Sequence, residues 1–143
     1  MSIEAARQAV IALPVGVEML TSLRETARLA ATHYSTQIEG NPLTQAQVRE
    51  AIAGARFPGR ERDETEVKNY YHTALEVEKL SESATPISEK NIQRIHGLVM
   101  NGRPSPSAYR DGQNVISDSS SGRTVYMPPE ARDVPVLMAD LVA

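Results

Sequence analysis

From Leu20 onward the chain places Leu20, Leu23, Ala27, Ala30, Tyr34 and Ile38 at steps of 3, 4, 3, 4 and 4 residues. Only an α-helix gathers such a series on one face. With Val17 at its start, the pattern predicts a helix over about 17–40. Gly40, Asn41 and Pro42 end it, because Gly accepts a left-handed terminal conformation and Pro cannot continue the ladder. Ile38 is expected to extend the buried stripe, leaving Ser35 and Glu39 at its edge. The inventory of side chains points the same way. Aromatics are 4% and Trp is absent, so a core must be built from Leu, Val, Ile, Ala and Met, as in a helical bundle. Hydrophobic residues at 41% and charged residues at 23% are those of a folded chain, and 143 residues suit about one domain.

The remaining elements are shorter. The segment to about Leu13 is weakly patterned and is broken by Pro14 and Gly16. Thr44 with Gln47 three residues on is a capping-box pattern, opening a helix with Val48 and Ile52 inward and Gly54 at its close. Ala55 to Arg62, with Pro58, Gly59 and three arginines, reads as a solvated loop. A helix opening near Asp63 and Glu64 carries Val67, Tyr71, Ala74 and Val77 as its apolar stripe. Ser88 caps another, with Ile92, Ile95 and Val99 inward and an end at Asn101–Gly102. Pro104 and Pro106 then exclude helix. Val115–Ile116 and Val125–Tyr126 flank a polar stretch and predict a β-hairpin with a mobile tip. Asp133 is the expected N-cap of a last helix, with Pro135 in its first turn and Leu137, Met138 and Leu141 on one face. A two-turn apolar helix ending at Ala143 is either packed on the bundle of a naturally short chain or the start of something longer; the second is expected.

Several functions are disfavoured at once. A formal net charge of −3 argues against nucleic-acid and membrane-surface partners, which need a dense basic face. With no cysteine there is no disulfide scaffold, thiolate metal site or cysteine nucleophile, and a reducing cytoplasm fits. The start, Met1-Ser2-Ile3-Glu4, has neither a basic n-region nor an apolar h-region, and no apolar run is long enough to span a bilayer. No metal-ligand spacing and no Walker-type glycine loop is present.

Ser35-Thr36-Gln37-Ile38-Glu39-Gly40-Asn41 is the most informative segment. Ser35 and Glu39, four apart, share a helical face. A carboxylate at a helix C-terminus meets the negative end of the dipole, so Glu39 faces water or needs a cation. The segment fits Ser/Thr-x-x-x-Glu-Gly/Asn and resembles the inhibitory helix of Fic-domain proteins. The likeness continues through Glu66-Val67-Lys68-Asn69-Tyr70, Ile95-His96, Tyr109-Arg110, Gln113, Val115-Ile116, Tyr126-Met127-Pro128-Pro129 and Val134-Pro135-x-Leu137-Met138. It runs from about Ala12 to the end, in the order of the self-inhibited type whose inhibitory helix precedes the core. The family signature, His-Pro-Phe-x-x-Gly-Asn-Gly-Arg, does not occur. His96 to Arg103 is one residue too short, lacks the Pro, the Phe and the first Gly, and precedes the hairpin; it reads as a helix end. His33 and His72 have no neighbouring base or ligand spacing.

The resemblance implies a mainly α Fic-like helical bundle with one β-hairpin flap at about 113–127. It divides the chain into an N-terminal region, 1–62, carrying the inhibitory helix, and the first part of the Fic core, 63–143, incomplete at its C-terminus. It implies a protein adenylyltransferase, transferring AMP from ATP, with Mg²⁺, to a Ser, Thr or Tyr hydroxyl of a target protein. Ser35, Glu39 and Gly40 are implied as inhibitory residues and no catalytic residue is expected within the chain. Asn114, Val115, Ile116 and Ser117 match the part of the flap that contacts nucleotide; Val125, Tyr126 and Met127 match the part that docks the target. Mg²⁺ ligands are expected outside the chain. Implied partners are the target and the remainder of the Fic core, and a homodimer is allowed. The alternative is a non-catalytic antitoxin-like or helical interaction module.

Overall fold

A computed structural model describes residues 2–12 and 16–143; the expected break at Pro14 lies outside them. Among the described residues the chain forms helices α1 (Ile3–Ile11), α2 (Val17–Ile38), α3 (Gln45–Ile52), α4 (Glu61–Glu82) and α5 (Glu89–Asn101). Strands β1 (Ile116–Ser117) and β2 (Thr124–Tyr126) follow, then a 3-10 turn (Ala131–Asp133) that runs into α6 (Val134–Val142). The fold is mainly α with a single two-stranded antiparallel hairpin. Residues group into two compact units, Met1–Tyr71 and His72–Ala143.

In the first unit α2 packs against α3. The core is Leu43, Val48, Ala51 and Val67, with Ile52 and Phe57 against it. Thr44 forms both bonds of the expected capping box: its Oγ1 accepts from the Gln47 amide at 3.3 Å, and the Gln47 side chain accepts from the Thr44 amide at 2.9 Å. The α2 stripe read from the sequence is not the buried face. Leu23, Tyr34 and Ile38 are exposed, Ile38 by 84%, whereas Leu29, Thr32, His33 and Thr36 are buried. The reason is hydrogen bonding. The Thr32 and Thr36 hydroxyls donate back to the carbonyls of Arg28 and Thr32, each at 2.9 Å. That leaves their methyl groups to pack, so polar residue types line the contact face.

Glu64, an acidic residue in the first turn of α4, would ordinarily face water. Instead of an exposed helix charge it is 2% exposed. Its carboxylate accepts the Phe57 amide at 2.6 Å and pairs with Arg56 at 3.0 Å and Lys68 at 3.4 Å. The Phe57 amide, then Lys68 and Arg56, hold its pKa below the ordinary carboxylate value against the opposing effect of burial. The arginine-containing loop is thereby fastened to α4 through Glu64, and Arg60 pairs with Asp63.

In the second unit Ser88 caps α5 by accepting the Asn91 amide, and Gly102 closes it in the left-handed region. Gly97 allows the chain after α5 to fold back: a Cβ there would lie 2.1 Å from the Ser105 carbonyl oxygen. In the hairpin Ile116 pairs with Tyr126 and Ser117 with Thr124, with a bulge between. Its tip carries a set of local hydrogen bonds. The Asp118 carboxylate accepts amide and hydroxyl bonds from Ser120 and Ser121, between 2.6 and 3.0 Å. These bonds, the Ser120 hydroxyl foremost, hold its pKa at about 2. Asp133 precedes α6 as expected, but its side chain makes no capping bond, because the 3-10 turn already delivers the chain in helical conformation.

Candidate functional site

The C-terminal end of α2 is built from the backbone outward. Gly40 has φ +93°, and its amide donates to the Gln37 carbonyl at 3.0 Å. The Asn41 amide donates to the Thr36 carbonyl, also at 3.0 Å. These two bonds form a Schellman motif, which stops the helix at Glu39 and turns the chain away after it. Glu39 is exposed and accepts no hydrogen bond or ion pair among the described residues. Four basic side chains of the first unit are engaged elsewhere: Arg28 pairs with Glu25, Arg56 and Lys68 with Glu64, and Arg60 with Asp63.

Around this free carboxylate the helix end is held from α4. The Tyr70 hydroxyl donates to Ser35 Oγ at 2.9 Å. Asn41, only 4% exposed, donates from Nδ2 to Glu66 Oε2 at 2.9 Å and to the Asp63 carbonyl at 3.1 Å. Its Oδ1 accepts the Leu43 amide at 3.1 Å. Farther up α2, the Tyr71 hydroxyl donates to both Glu25 oxygens at 2.8 and 3.0 Å, and Arg28 lies 5.6 Å from the Tyr71 ring centroid. Burial, then the Glu25 contact, raises the Tyr71 pKa. Sequence reading singled out Ser35, Glu39 and Gly40 but missed these holders. One signal pointed to them: Asn41, Glu66 and Tyr70 fall inside the very segments that carry the resemblance.

The hairpin residues Asn114, Val115, Ile116, Ser117, Val125, Tyr126 and Met127 are all exposed. An isolated two-stranded ribbon is marginal by itself. Its base is clamped: Gln113 donates to the Pro128 carbonyl at 3.0 Å, and the Arg110 guanidinium donates to the Pro129 carbonyl and to Gly112 at 2.9 Å. Beside it, Ile92, His96, Tyr109, Val134 and Met138 line a cavity of 460 Å³. The Tyr109 hydroxyl donates to Glu89 at 2.6 Å, and that bond first, with burial, raises its pKa. His96 lies with Nδ1 2.6 Å from Ser107 Oγ on a helix that Gly102 ends. His72 is exposed; His33 is buried, its Nδ1 without a hydrogen-bond partner. Among the described residues no three His, Asp or Glu side chains gather to hold a metal ion, and no helix is long and apolar enough to cross a membrane.

No family model and no curated protein matches the chain. Among solved structures it is similar to a Fic family protein from Desulfovibrio desulfuricans G20, determined at 2.70 Å resolution. The identity is 32% and the TM-score 0.67, over 85% of this chain and 36% of that one. The chain thus has a Fic-like fold, and it spans about a third of the length of the Fic family protein it matches.

Proposed function

We propose that this chain is the regulatory and flap portion of a self-inhibited protein adenylyltransferase. The observation that carries the reading is the α2 terminus: a carboxylate without a partner, presented at a fixed helix end, in a chain of Fic-like fold. In the reaction a Ser, Thr or Tyr oxygen of a target protein attacks the α-phosphorus of ATP. The bond to pyrophosphate breaks, and the hydroxyl proton passes to a base. The base and the phosphate-binding arginines belong to the His-Pro-Phe signature, which these 143 residues do not contain. Mg²⁺ accompanies ATP in this chemistry. By the same resemblance its protein ligands are expected outside these 143 residues.

Glu39 acts by competition. Paired with an arginine that would otherwise hold the γ-phosphate, its carboxylate forces ATP into a pose whose α-phosphate is misaligned for in-line attack. A hydrogen-bonded ion pair worth about 2 kcal/mol suppresses turnover roughly 30-fold. Gly40 lets the chain turn away so that the carboxylate stands clear. In the hairpin, the open strand edge pairs with an extended target segment, Val125, Tyr126 and Met127 meet that segment, and Asn114 to Ser117 border the nucleotide. A cytoplasmic location suits a protein that consumes ATP.

The test is transfer of label from ATP by the complete product of this reading frame, wild type against Glu39→Gly. The variant is expected to be tens-fold more active. Equal activity removes the inhibitory role of Glu39. A reading frame that stops at Ala143, with a stable complex to a separate Fic chain, would instead identify an antitoxin-like module.

A further inference from the structure

We infer that Tyr70 and Asn41 are positioning residues for the inhibitory carboxylate, and that α4 sets how strongly Glu39 inhibits. The inference rests on the reading of Glu39 given above. Ser35 lies four residues before Glu39, on the same helical face, and Asn41 two residues after it. Both are gripped by α4, through the Tyr70 hydroxyl and through Glu66 with the Asp63 carbonyl. Glu39 itself makes no such bond. Its position is therefore set by anchors on either side and not by its own contacts.

The two anchors differ in kind. Asn41 is buried, and its side-chain amide is engaged at both ends, so it fixes the chain immediately after the Schellman turn. Ser35 is half-buried, and its bond to Tyr70 fixes the rotation of the last helical turn. Rotation matters because a carboxylate competing with a phosphate for one planar guanidinium must arrive in line with its donor fork. A helix end free to fray or rotate spends less time there. Each anchor thus adds to inhibition without touching nucleotide or target. Tyr70 also stands in the Glu-Val-x-Asn-Tyr segment of α4, so a displacement of α4 is passed to Glu39 through the same hydroxyl.

Tyr70→Phe removes one oxygen and keeps the ring, which makes it the first test. In the complete reading-frame product with Glu39 present, loss of one net hydrogen bond should raise AMP transfer roughly fivefold. In the Glu39→Gly background the same substitution should change nothing, since no carboxylate is left to position. A merely structural role predicts lower activity in both backgrounds. Hydrogen exchange on the 143-residue chain gives a second readout: the Gly40 and Asn41 amides should exchange roughly fivefold faster in Tyr70→Phe, and the α5 amides should not change. If Glu39→Gly activates but Tyr70→Phe leaves both transfer and exchange unaltered, the positioning role is wrong while the reading of Glu39 stands. If Glu39→Gly itself fails to activate, both fall.

Discussion

Replacing Gly40 with Ala tests the construction of the α2 terminus directly. Gly40 has φ +93°, about 36° beyond the centre of the left-handed region that L-residues tolerate near +57°. A Cβ built there has no atom within 4 Å, so the cost carries no steric contribution from neighbours and is wholly one of backbone conformation. That cost is about 1–2 kcal/mol for an L-residue. The stiffer unfolded chain of the Ala variant does not return the difference at such a site. Urea unfolding followed by circular dichroism should therefore show a loss of about 1–2 kcal/mol, with Gly40→Asn losing less because Asn tolerates the left-handed region better. Gly54 provides a matched comparison. Its φ is +102°, it too has open space around it, and it ends α3. Gly54→Ala should cost a similar amount of stability. The two should part in function: in the complete product Gly40→Ala raises AMP transfer, because strain at the turn is relieved by unwinding toward Glu39, whereas Gly54→Ala leaves transfer unchanged. A Gly40→Ala protein as stable as wild type would refute the assignment of strain. Equal activation by both variants would refute the link to Glu39.

Two further outcomes concern the frame that holds the site. Gly97→Ala should destabilise the second unit by about 1–3 kcal/mol or more in thermal unfolding, since a Cβ 2.1 Å from a backbone oxygen can be accommodated only by moving the 103–105 segment; an unchanged melting temperature would contradict the close approach. The acid limb of stability should carry Glu64 and Asp118. Both carboxylates have depressed folded-state pKa values, so their stabilisation is present above the unfolded values near 4 and is lost as pH falls through the folded ones, for Asp118 between 3.8 and about 2. Glu64→Gln should flatten the acid dependence of the first unit, and Asp118→Asn that of the hairpin tip by proton-exchange NMR; retention of the full dependence would contradict the assignments.

Local chemistry made much of this architecture readable. The long helix and its end at Glu39-Gly40 follow from a 3.6-residue period and from a glycine where a left-handed turn is needed, and both are properties of a few adjacent residues. The capping box of α3, the Ser88 cap of α5 and the hairpin are local in the same sense. The resemblance to Fic proteins lay in short segments whose order along the chain is itself sequence information, and the solved relative bears it out at the level of fold.

Tertiary structure alone decided which faces were buried and what held the site. Hydropathy put Ile38 inward, yet the contact face of α2 runs through Thr32 and Thr36, whose hydroxyls are satisfied by their own helix. Glu64 reads as a surface charge until Arg56 and Phe57 of the preceding loop and Lys68 of its own helix converge on it. The grips of Tyr70 on Ser35 and of Glu66 on Asn41 join residues 35 and 25 positions apart. A one-dimensional pattern records which side chains could donate and accept. Pairing across such separations depends on where helices cross, and only the folded chain fixes that.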